Sequence, residues 1–106
     1  MNTNINNQEI SLFAIPNSFK KVQLAAATQK TLGALYGTIP EKATHVAVEA
    51  SVETKYVQDA GTSANAGVGF TMPAKGKIVI SRRDALHLSL YAESECDLAI
   101  QPLSHD

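Results

Sequence analysis

The segment Leu86-His87-Leu88-Ser89-Leu90-Tyr91 alternates apolar and polar residues without a break, and this period of two most narrows the folds open to the chain. Successive side chains of an extended backbone point to opposite faces, so Leu86, Leu88 and Leu90 are expected on one face of a strand and His87, Ser89 and Tyr91 on the other. The same alternation recurs along the sequence. Val46, Val48 and Ala50 oppose His45, Ala47 and Glu49, and Ile78 and Ile80 oppose Lys77, Val79 and Ser81. Ile10, Leu12 and Ala14 oppose Phe13 and Ile15, while Val22, Leu24 and Ala26 repeat the spacing. Residues 54–57 read as a further strand, and Leu98 and Ile100 complete the pattern before Pro102 ends it.

Turn chemistry separates these runs. Pro16-Asn17, the stretch 38–43 around Pro40, Asp59-Ala60-Gly61-Thr62, the Pro73 to Gly76 stretch, Arg82-Arg83-Asp84 and Glu93-Ser94-Glu95 each interrupt an alternating segment. Residues 22–35 are ambiguous, because Ala25-Ala26-Ala27 favours a helix whereas Gly33 and the β-branched Thr28 and Thr31 disfavour a long one. We read two short strands there. The expected fold is all-β: an antiparallel β-sandwich or jelly-roll-like barrel of about seven to eight short strands. Its single domain spans residues 9–103, preceded by a flexible polar arm, residues 1–8, and followed by a tail, residues 104–106. The arm has little to bury on its own chain, and either frays or orders against a neighbouring subunit.

Composition removes several function classes. At 44% apolar residues the chain can build a core, and without Trp that core must come from Val, Ile, Leu and Ala. The net charge of -1, with no basic run longer than Lys20-Lys21 or Arg82-Arg83, lacks the basic stripe of a nucleic-acid binder. No run approaches the ~18 apolar residues of a membrane span, and the Asn-rich start is not that of a signal peptide. Cys96 is the single cysteine, so no intrachain disulfide is expected, and a reducing compartment is the simplest setting.

The search for chemistry returns no catalytic, cofactor-binding or metal residues. His45, His87 and His105 lack metal-ligand spacing, and the first two fall opposite their strands' main apolar sets, at solvated or subunit-facing positions. No Gly-x-Ser-x-Gly elbow is present. Cys96 lies between Glu95 and Asp97, whose charge disfavours a thiolate. Glu93, Glu95 and Asp97 read as a solvated acidic turn without calcium-loop spacing. The small-residue stretch from Gly61 to Gly69 lacks a phosphate-loop Lys and reads as a long, flexible or closely packed loop. Tyr36, Tyr56 and Tyr91 are the aromatics that could stack on a sugar if the domain bound carbohydrate or another small ligand, the alternative reading.

One resemblance runs through residues 34–103. It is carried by Ile39-Pro40-x-x-Ala43, Val46-x-Val48-Glu49-Ala50, Tyr56-Val57-x-Asp59-x-Gly61-Thr62, Ala66-x-Val68-Gly69-Phe70, Pro73-Ala74-x-Gly76 and Leu86-x-Leu88-x-Leu90-Tyr91. This succession resembles small β-sandwich virion accessory proteins of tailed bacteriophages. The resemblance implies a non-enzymatic structural protein without cofactors, made in the host bacterial cytoplasm and placed in the virion. It would decorate the capsid or serve elsewhere at the head or neck. Its implied partners are copies of itself, as a homo-oligomer, and other virion proteins such as the capsid lattice, with neither nucleic acid nor membrane.

Overall fold

The computed structural model describes residues 11–105. Among these residues nine strands and two short helices follow in the order β1 (Phe13–Ala14), β2 (Lys20–Leu24), β3 (Thr28–Thr31), α1 (Leu32–Tyr36), β4 (His45–Ala50), β5 (Thr54–Val57), β6 (Phe70–Met72), β7 (Lys77–Ser81), α2 (Arg82–Ala85), β8 (Ser89–Ala92) and β9 (Cys96–Ser104). Their pairings are antiparallel. Strands β2, β9, β4 and β7 lie in that order in sheet one, and β1 also pairs with β9, along the same edge as β2. Sheet two has the order β3, β8, β5, β6. Strands β2 to β9 therefore wind as a double-sheet jelly roll, which bears out the all-β expectation with nine described strands in place of about seven to eight. The added strand β1 is only two residues long.

Alternation decides which residues meet between the sheets. Val46, Val48 and Ala50 are fully buried, as are Leu98 and Ile100, which pair with Ala50 and Val48 across the ladder. Leu90 of sheet two and Leu88, just before its strand, enter the same core. Removing a side chain of this kind from water contributes roughly 1.5–3 kcal/mol, an upper estimate because the unfolded chain already buries some of it. Cys96 opens β9 inside this core, completely buried, with its Sγ 3.5 Å from Thr54 Oγ1.

Four local expectations are corrected. Neither Leu86 nor Leu88 shares the strand that holds Leu90. Ser81 caps α2 by accepting from the Asp84 N–H, Leu86 ends that helix 46% exposed, and β8 starts only at Ser89. A Ser followed by polar residues starts a helical turn more readily than it continues a strand. Residues 22–35 hold the two expected strands, but a helix follows them. Thr31 accepts from the Ala34 N–H, and Leu32 and Tyr36, one turn apart, bury the helix's inner face. Ala26 lies beyond β2, in a turn that Ala27 closes at φ 52°.

Pro102 does not end the pattern either, because β9 runs through it to Ser104. Its carbonyl accepts from the Ile15 N–H, so its nitrogen faces the same flank. That flank lies between the last β2 pair, Lys20 with Ile100, and the first β1 pair, Ala14 with Leu103. No ladder donor is required there, which is why a proline is tolerated beside a central strand. The expected arm at residues 1–8 lies outside the described residues, as does Ile10.

Candidate protein-interaction surfaces

The outward face of sheet one is the least ordinary surface of the molecule. Its strands are positioned by the core, so the residues that alternate with the buried ones point away from it. Across the middle of the sheet, Val79 pairs with Ala47 and Ala47 with Gln101. Phe19, immediately before β2, extends this row beside Gln101 by continuation of the register. Phe19 is 56% exposed and Val79 47% exposed, while Ala47 between them is only 9% exposed. The recessed Ala47 between the exposed ends leaves a shallow groove of about 300 Å³, which Gln101, Ala99 and Leu103 also line.

Charges flank the row on one side only. Glu49 pairs with Lys77 across β4 and β7, and with Ala99 across β4 and β9, whose other neighbour is Lys21. Beyond the opposite side of the row lie His45, Leu103 and Ser81. The His45 ring packs against that of His105 at a centroid distance of 6.0 Å, and its Nδ1 is 3.0 Å from Thr44 Oγ1. The reading of His45 as a solvated or subunit-facing residue thus places it at the rim of an exposed sheet face, whereas His87 is exposed in the turn after α2.

A second exposed apolar site lies on sheet two. Phe70, on the outer strand of sheet two, is 70% exposed and tilts over Tyr56 at a centroid distance of 5.8 Å. The approach of β6 to β5 depends on Gly69, at φ 126°, where a Cβ would come within 3.0 Å of the Tyr56 carbonyl oxygen. The small-residue loop before it is exposed along residues 61–69 except at one anchor, Ala64. Ala64 is buried and donates its N–H to Ser89 Oγ, which also accepts from Gln29 Nε2. Ser89 and Val57 are thereby buried although they alternate with the core-facing residues of their strands.

The residues weighed for chemistry do not converge. Among the described residues, no three His, Cys, Asp or Glu side chains stand close enough to hold a metal ion. Glu93 lines one small depression with Glu53, Lys55 and Tyr91, while Asp97 lines another with Lys21 and Lys75. Tyr36 is buried rather than available for stacking. Its hydroxyl donates to the Ser18 carbonyl, the Lys20 Nζ sits 4.4 Å above its ring, and burial raises its pKa above the ordinary 10.0. Val79 lies exposed on the face opposite Ile80, as alternation placed it, whereas Phe19 and Phe70 stand at strand ends where alternation gave no side. No helix among the described residues is long and apolar enough to cross a membrane. No family model, curated protein or solved structure matches the chain.

Proposed function

We propose that this protein is a non-enzymatic structural component of a tailed-bacteriophage virion, made in the host cytoplasm, which decorates the capsid or another part of the head or neck through protein–protein contacts. The observation that supports it is the outward face of sheet one, where the exposed Phe19 and Val79 stand at the two ends of a row through Gln101 and Ala47, with charges along one margin. An apolar patch rimmed by polar groups is the usual mark of an association surface. The turn pattern shared with phage accessory proteins supplies the virion context. The jelly roll does not, since that fold serves capsid proteins, lectins and cupins alike.

Co-sedimentation tests the reading: particles assembled without the chain are incubated with purified full-length protein and pelleted. Saturable binding at a fixed number of copies per particle is expected. A protein that stays in the supernatant at all concentrations contradicts it.

A second reading, a domain that binds carbohydrate, is favoured by the exposed Phe70 beside Tyr56. The two rings meet at 40°, so they do not form one flat stacking platform. Glycan titration monitored by Tyr fluorescence distinguishes this reading, which requires a saturable change that Phe70→Ala abolishes.

A further inference from the structure

We infer that His45 and His105 together form a surface binding site for a divalent transition-metal ion of the copper, nickel and zinc class. The inference stands apart from the assembly reading above. The two residues are distant in the sequence and show no ligand spacing there, but the fold makes them neighbours. His45 opens β4 and pairs with Leu103 of β9. His105, one residue past the end of β9, continues the alternation from Leu103 on the same outward face. The two are therefore diagonal cross-strand neighbours, a spacing that long side chains bridge. Their rings stand 6.0 Å apart, centroid to centroid, and tilt by 42°. Two imidazole nitrogens about 2.0–2.1 Å from one ion put the ring centroids roughly 5–6 Å apart. The pair is thus within a small rotation of the exposed His105 ring from a chelating arrangement.

A second observation concerns the orientation of His45. Its Nδ1 lies 3.0 Å from Thr44 Oγ1. A proton held on Nδ1 and donated to that hydroxyl leaves the Nε2 lone pair free, which is the part an outer hydrogen-bond partner plays behind a metal-binding histidine. Thr44 is itself fixed from two sides. Its N–H donates to the Leu103 carbonyl at 2.8 Å, and its carbonyl accepts from the Arg82 N–H at 2.9 Å. One ligand is therefore held in place, and the other is exposed and free to close on an ion.

The donor type sets the class of ion. Neutral imidazoles suit Cu2+, Ni2+ and Zn2+, with Cu2+ bound most tightly, whereas Mg2+ and Ca2+ take oxygen donors. Among the described residues no third His, Cys, Asp or Glu joins the pair, His87 included, so the remaining coordination positions fall to water.

Titration of the full-length protein with Zn2+, followed by the histidine ring signals in proton NMR, tests this, with equilibrium dialysis to count the bound ions. Zn2+ is expected to shift the His45 and His105 signals together, saturating at one ion per chain, and to leave His87 in place. Mg2+ should shift none of them. His105→Ala changes an exposed residue and should fold, which far-ultraviolet circular dichroism checks. It should weaken Zn2+ binding roughly 10-fold or more, as should His45→Ala, whereas His87→Ala should leave binding unchanged. Where His45→Ala disturbs the half-buried start of β4, His105→Ala alone decides. A chain that binds neither Zn2+ nor Cu2+ at millimolar free ion overturns the inference. So does binding that His105→Ala leaves intact, or a response at His87 equal to that of the pair.

Discussion

Ser89 shows how one polar side chain fixes a loop that carries no secondary structure of its own. It is 2% exposed, and its hydroxyl oxygen accepts from the Ala64 N–H at 2.8 Å and from Gln29 Nε2 at 2.7 Å. Ser89→Ala would leave a buried N–H without an acceptor, so urea denaturation should report a loss of about 1–3 kcal/mol. A change below about 0.5 kcal/mol would mean that the loop does not depend on this contact. Tyr36 gives a prediction in pH. The unfolded chain ionises this tyrosine near 10.0, and the fold, which buries it, holds the proton to higher pH. Its contribution is complete below the unfolded pKa and is lost as pH rises beyond it, because the unfolded state then releases the proton first. Stability measured at neutral and at strongly alkaline pH should therefore fall less for Tyr36→Phe than for the wild type. That variant starts lower by about 0.5–1.5 kcal/mol because it lacks the hydrogen bond to Ser18. An equal alkaline loss in both proteins would contradict the assignment.

At the scale of elements, the clearest alternation in the sequence was half misleading. Leu86, Leu88 and Leu90 share a spacing but not a fate. Leu88 and Leu90 are fully buried, while Leu86 ends a short helix and is 46% exposed. Leu88→Ala should cost about 2–5 kcal/mol and Leu86→Ala about 0.5 kcal/mol or less, both read by thermal or urea unfolding. Similar losses at both sites would restore the continuous strand. Strands β4 and β9 were legible because one face of each lies wholly in the core, where a shift of register by one residue would expose the whole apolar set. The helices α1 and α2 were hidden because four or five residues are too few to show a helical period, and only their caps, Thr31 and Ser81, announced them. Pro102 was read as a stop because sequence does not reveal that its missing donor falls in the gap between β1 and β2. The outward face of sheet one was legible in part. Alternation set Val79 and Ala47 opposite Ile80, Val46 and Val48, and Val79 is exposed there as expected, whereas Phe19 precedes its strand and only the register places it beside Gln101.

For the whole molecule, a jelly roll of this size leaves four sheet edges and two outer faces to manage. The loop anchored by Ser89 covers part of the outer face of sheet two, whereas sheet one leaves Phe19 and Val79 exposed on its outer face. An assembling protein accounts for that asymmetry, since burial against a partner removes the exposed apolar area and adds the free energy of association to the stability of the subunit. The most direct measurement is electron cryomicroscopy of intact phage particles produced from a genome that encodes this chain. The account predicts density for the jelly roll at regular positions on the head or neck, with sheet one facing a neighbouring subunit and Phe19 and Val79 at the contact. Particles that lack this density, while the chain accumulates as a free monomer in the lysate, would contradict it.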